Sequence, residues 1–206
     1  MNDLTADKLA IREVIENWVV YRDAGDWERF ATVWHSDGWM TATWFQGPAP
    51  DFIEVSRVLF DQGGNILHTL AGWTCDIAGD RAISQVKMSI LQRALLDDIQ
   101  VDVVCYGRFY DFLEKRDGRW GIVRRQPIYE KDRLDPVDPS AVLHLNPDLL
   151  GQFPEGYKHL AYLQTKNGFS IKEGLRLPGL RGPEVEKLYT EGKAWLDGSE
   201  KPGGVL

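Results

Sequence analysis

Leu9, Ile11, Val14, Ile15, Trp18, Val19 and Tyr21 recur at the spacing of one helix face up to Arg22, with Thr5 as an N-cap and Asp7 in the first turn. This long amphipathic helix is expected to end at Asp23-Ala24-Gly25. Asp26 reads as the N-cap of a second helix, with Glu28 in its first turn and Phe30, Val33 and Trp34 facing inward. Residues 39–45 read as a first strand, Gly47-Pro48-Ala49-Pro50 breaks it, and Asp51 is placed to cap a third helix ending near Phe60.

From His68 the period changes to two. Residues 68–75, 81–91, 101–115 and 119–127 are predicted strands, parted by Ala78-Gly79-Asp80, Asp97-Asp98 and Arg116-Asp117-Gly118. Helices followed by a meander predict an α+β fold, its curved, mainly antiparallel sheet wrapped around the N-terminal helices with a cavity between. Beyond Tyr129, prolines punctuate short helical stretches near residues 141–150, 157–165 and 184–196. The division expected is a catalytic domain over residues 1–130 and a C-terminal extension over 131–206. The extension is expected to wrap the domain or a neighbouring subunit as lid, interface or both.

A chain of 206 residues, 43% hydrophobic and 27% charged, can bury one substantial core. A net charge of −7 argues against nucleic acid, whose phosphates need a basic face. Apolar runs stop well short of the roughly 20 residues that span a bilayer, so membrane insertion is not expected, and a cytoplasmic protein is. Cys75 and Cys105 lack metal-ligand spacing and read as small buried hydrophobes. Eight Trp, eight Phe and seven Tyr suit a pocket for flat apolar ligands as well as an ordinary core.

Two residues carry the candidate chemistry. Asp23 closes a helix and His68 sits among aliphatics near the start of a strand. Imidazole, with an ordinary pKa of about 6.5, is a natural base near neutrality. A carboxylate on one ring nitrogen would fix the tautomer and steady the imidazolium. The bland alternatives are a satisfied core histidine and a helix-end cap. His35 reads as a cap of the second helix, and His144 and His159 as surface or interface residues of the extension. No grouping of ligands suits a metal, and there is no phosphate loop or dinucleotide fingerprint, so no cofactor is expected.

The run from Ala10-Ile11-Arg12 to Trp18, the segment Tyr21-Arg22-Asp23-Ala24-Gly25-Asp26-Trp27-Glu28-Arg29-Phe30 and the later Arg116-Asp117-Gly118-Arg119-Trp120 resemble the SnoaL-like group of the nuclear transport factor 2-like superfamily, over residues 5–130. The resemblance implies a cone-shaped α+β fold. In motif it is closest to scytalone dehydratase and hexachlorocyclohexane dehydrochlorinase, cofactor-free lyases in which an Asp at the helix corner orients a proton-removing His. Asp23 and His68 fall on those positions. Tyr21 lies two residues before the Asp, where scytalone dehydratase has its catalytic Tyr directly before it; Tyr106 falls where that enzyme has a second His, and Arg125 on the dehydrochlorinase's pocket Arg.

Catalytic roles are therefore expected for Asp23, His68, Tyr106 and Arg125, and substrate contacts for Tyr21, Trp44, Phe45, Trp73, Arg108 and Tyr129. Arg125 could hold a developing anion or be an ion-paired arginine; its neighbour Arg124 points to the opposite face. Tyr106, on one face with Arg108, could donate its hydroxyl to a leaving oxygen; Tyr129 could close the pocket rim; the Trp and Phe side chains could stack on substrate or pack the core. The function implied is a lyase removing water, halide or formaldehyde from a hydrophobic aromatic small molecule, such as a lignin-derived diarylpropanoid. An isomerase, a polyketide cyclase and a non-catalytic binding domain are the alternatives. A homo-oligomer, dimer or trimer, is expected, because extension residues such as Leu143, Leu150, Phe153, Leu160, Leu180 and Trp195 need burial somewhere.

Overall fold

The structure is a computed structural model that describes residues 4–171 and 177–200. Its elements run α1 (Thr5–Ala24), α2 (Trp27–Thr32), β1 (Trp34–Thr41), β2 (Gln46–Pro48), α3 (Ala49–Asp61), β3 (Asn65–Ala78), β4 (Arg81–Leu96), β5 (Ile99–Arg116), β6 (Arg119–Pro136), α4 (Pro147–Leu150), α5 (Lys158–Lys166) and α6 (Pro183–Leu196). The strands form one sheet in the order β2-β1-β6-β5-β4-β3, antiparallel except for the parallel β1–β6 pair. This is an α+β architecture, with α1, α2 and α3 against one face of the sheet.

The helix corner forms as the sequence predicts. Gly25 ends α1 in the left-handed region at φ 70°, which a glycine adopts without penalty, and a Cβ there would lie 2.9 Å from the Phe60 ring. The Asp26 side chain accepts the backbone N–H of Arg29 at 3.2 Å, capping α2. The β4–β5 hairpin turns on Asp97 and Asp98, both at positive φ, and β5–β6 turns on Asp117-Gly118, also positive; such turns match the twist of the strands they join.

Some boundaries move. The first strand runs over 34–41 rather than 39–45, because Trp34 pairs with Ile122 of β6 ahead of an irregularity that closes at Trp39. His35 is therefore a strand residue, its Nε2 2.8 Å from the Glu114 carbonyl, and not a cap of α2. The third helix begins at Ala49 with Pro48 in the N-cap position, so Asp51 lies in its first turn. α4 spans only residues 147–150 of the expected 141–150. The strand expected to stop at Pro127 continues to Pro136, since Val101 to Tyr106 of β5 find partners in residues 131–136. Residue 130 thus lies inside β6, and the extension leaves the sheet only after Pro136.

Alternation on β5 and β6 sorts the core into two clusters. Phe109, Leu113, Ile122 and Tyr129 join α1 and α3 on the inner face; Tyr110, Phe112 and Ile128 join Val185, Leu188 and Trp195 of α6 on the outer face. At Gly192, α6 comes so close to the Tyr110 hydroxyl that a Cβ would collide with it. Leu160 and Trp195 are almost wholly buried within this chain, so the extension covers its own domain on both faces of the sheet. Leu180 remains 53% exposed.

Candidate functional site

Asp23 lies in the last turn of α1 and His68 four residues into β3. The carboxylate holds the histidine twice: Oδ2 accepts the His68 backbone N–H at 2.6 Å, and Oδ1 lies 2.8 Å from Nδ1. A carboxylate oxygen can only accept, so Nδ1 carries the proton and Nε2 is left with its lone pair. Both side chains are nearly enclosed, at 7% exposure for His68 and 12% for Asp23. Burial lowers the His68 pKa below its ordinary value, against the opposing pull of Asp23, so the neutral ring prevails at pH 7.

The imidazole is set in aromatic walls. Trp18 meets it edge-on with ring centres 5.3 Å apart at 89°, and Phe109 lies 6.2 Å away. His68 opens on an inner cavity of about 40 Å³. Its lining combines Trp18 and Phe52 with the polar groups of Arg22, Gln92, Thr43 and Gln164. That volume suits water-sized occupants rather than an aromatic ring. α5 forms one wall through Leu160 and Gln164, and the Thr43 hydroxyl donates to Gln164 Oε1 at 2.6 Å, fastening the extension to the segment after β1.

Of the residues singled out in the sequence, Trp44 and Tyr129 line this cavity with His68. Tyr129 is 2% exposed, and burial pushes its hydroxyl pKa well up. Phe45 packs behind Trp44 and Phe52, at 5.9 and 5.4 Å between ring centres. Tyr21 packs at the edge of the core, with the Arg29 guanidinium 4.8 Å from its ring. Trp73 is not part of the lining; its Nε1 donates to Ser84 Oγ at 2.8 Å, and Arg12 covers its ring.

Tyr106, Arg108 and Arg125 also lie away from the cavity lining. Tyr106 has the parity of the outer face of β5 and is 39% exposed in an open groove with Lys87, Lys131 and Arg133, on the far side of the sheet from His68. Arg108 shares that face, where it bonds Glu130 at 2.8 Å and the Tyr189 hydroxyl at 2.6 Å. Arg125 does face inward, and Arg124 outward to Glu191, as strand alternation requires. Arg125 nevertheless stops behind the cavity wall: it forms a bidentate pair with Asp111 at 2.6 and 2.8 Å, both side chains fully buried, and lies 4.3 Å from the Trp18 ring and 4.1 Å from Phe109. There it packs against the rings of those two aromatics.

Sequence reasoning passed over Arg22, Gln92 and Gln164. Arg22 sits on the buried side of α1, as its i+4 spacing from Trp18 foretells, and is 6% exposed. Gln164 belongs to the extension, and no local signal in its sequence points to the cavity. Among the described residues, no group of three or more His, Cys, Asp or Glu side chains could hold a metal, and no helix is long and apolar enough to cross a membrane.

The model of the SnoaL-like domain matches residues 3–126. Over 97% of its length the chain is 37% identical to the uncharacterized protein AN9274 of Emericella nidulans, covering 90% of that protein. It is 34% identical to pea pathogenicity protein 2 of Fusarium vanettenii, over 97% of this chain and 89% of that one. Among solved structures, a hexachlorocyclohexane dehydrochlorinase (LinA) type 2 superposes with TM-score 0.56 at 15% identity, covering 69% of this chain and 94% of its own. A Novosphingobium aromaticivorans protein assigned as a scytalone dehydratase gives TM-score 0.54 at 18% identity, covering 69% and 93%. These likenesses establish the cone-shaped nuclear transport factor 2-like fold, and the chain belongs to the SnoaL-like domain family.

Proposed function

We propose that this protein is a cofactor-independent lyase acting on a hydrophobic aromatic small molecule, with His68 as general base and Asp23 as its positioning partner. The observation that carries this reading is the doubly anchored contact between Asp23 and the His68 ring at 2.8 Å inside an aromatic cavity. In this scheme His68 Nε2 takes a proton from carbon, the C–H electron pair forms a double bond, and the group on the adjacent carbon leaves with its own bonding pair, as halide or, taking the proton back from the imidazolium, as water. Asp23 stabilises the imidazolium that results. A lignin-derived diarylpropanoid is the substrate class that the family resemblance suggests. The protein would work in the cytoplasm as a homo-oligomer, with Cys75 and Cys105 remaining free buried thiols.

The test is turnover of a panel of lignin-derived, terpenoid and polyketide aromatics, with substrate deuterated at the acidic carbon. A primary isotope effect in the wild type, lost together with activity in His68→Ala, is expected; full turnover by His68→Ala would overturn the assignment. The cavity of about 40 Å³ favours a second reading, a binding domain for a much smaller ligand. Ligand binding without conversion of any panel member would support that reading instead. An isomerase or cyclase would show the isotope effect with no group eliminated.

A further inference from the structure

Trp18 and Arg22 stand one turn apart on the buried side of α1, and both line the cavity beside His68. Each presents a buried N–H donor, Trp18 Nε1 and Arg22 Nε, that finds no hydrogen-bond acceptor among the described residues. A buried donor without an acceptor is costly, and a buried guanidinium more so. The carboxylate beside Arg22 relieves it only in part. Asp23 Oδ1 lies 3.4 Å from Arg22 Nη1, while its two oxygens are engaged at 2.6 and 2.8 Å by the backbone and ring of His68. Burial pulls the Arg22 pKa down from its ordinary value, so the cation is held there at a cost.

We propose that Trp18 and Arg22 form an anion-binding subsite of this cavity and that the ligand carries a carboxylate. A carboxylate offers two acceptor oxygens in one plane, which matches a guanidinium edge with a neighbouring indole N–H and supplies the charge that Asp23 only partly provides. The inference deepens the proposed function, on which it rests for its reaction, by naming a carboxylate as the substrate group that enters this small cavity. A bound carboxylate also acts on the base. Negative charge near His68 favours the imidazolium and so strengthens the ring as a proton acceptor when substrate is seated.

Binding of acetate and of neutral acetamide, measured by calorimetry on the full chain with the His68 ring followed by NMR, tests the subsite. The wild type is expected to prefer acetate by about tenfold or more, the order of a hydrogen bond between charged groups, with the His68 titration moving to higher pH in its presence. Arg22→Gln should abolish the preference and Arg22→Lys retain part of it, their melting curves reporting folding. His68→Ala should keep the preference, which separates this subsite from the base: loss of turnover in that variant tests the lyase reading, and its anion preference tests this one. Equal binding of both probes, no saturable binding of acetate, or an undiminished preference in Arg22→Gln would overturn the proposal.

Discussion

The Asp23 carboxylate binds His68 by two different groups, the ring through Oδ1 at 2.8 Å and the backbone N–H through Oδ2 at 2.6 Å. The ring contact concerns proton transfer, whereas the backbone contact pins the entry of β3 to the end of α1. Removing either side chain should lower turnover by about 100- to 10,000-fold, the range for a positioned general base. The double variant should be no worse than the more damaging single one, because the two act as one unit.

The two single variants should differ in stability. Asp23→Ala strands the partly buried N–H of His68 and should cost about 1–3 kcal/mol; His68→Ala leaves that N–H bonded to Asp23. Urea unfolding of the two proteins checks the order. A less stable His68→Ala protein would contradict it.

Burial depresses the pKa of His68 in the folded protein. The unfolded chain, with its ordinary value near 6.5, therefore binds a proton first as pH falls. Above that value His68 contributes no pH dependence; as pH falls through it towards the lower folded value, stability should drop, and below the folded value the loss should level off. Activity depends on the neutral ring, so the acidic limb of kcat/KM should lie below the ordinary imidazole value. Melting curves and pH–rate profiles of wild type and His68→Ala isolate this contribution.

Arg125 and Asp111 are fully buried and bound in bidentate fashion. Asp111→Ala leaves an uncompensated buried guanidinium and should destabilise by about 3–5 kcal/mol. Tyr106→Phe, on the outer face, should change turnover by less than about twofold, since no group in the cavity loses a partner. A large catalytic loss in Tyr106→Phe would mean that the outer groove takes part in the reaction.

Shortening the chain tests the extension. A cut after Lys131 would sever β6 in the middle of its pairing with β5, so the informative end point is Pro136. Removing residues 137–206 should expose Tyr129 and the inner core beneath Leu160, lowering the melting temperature and turnover together. Light scattering on the same sample reads the subunit number, and a loss of mass would show that the extension, besides covering its own domain, also makes an interface.

Much of the fold was legible along the chain. Helical spacing from Leu9 to Arg22, the Asp-Ala-Gly-Asp corner and the change to period two at His68 are local signals, because each reports one element burying one face. They were enough to pair Asp23 with His68 by family resemblance, a contact between residues 45 apart in sequence. Alternation also separated Arg124 from Arg125 correctly, since it states which face a side chain takes.

It does not state how deep on that face the side chain ends. Alternation places Arg125 on the cavity face, and Asp111 on the neighbouring strand takes it instead, a pairing set by the β5–β6 register. Tyr106 was assigned by its alignment position, although it shares outer-face parity with Arg108. Arg22, Gln92 and Gln164 were missed because cavity walls are assembled from elements distant in sequence; Gln164 reaches Thr43 across 121 residues, in a helix whose own pattern shows only that it is amphipathic. Local periodicity thus determined the elements and their inward faces, and tertiary packing decided which inward polar groups meet one another and which are left to meet a ligand.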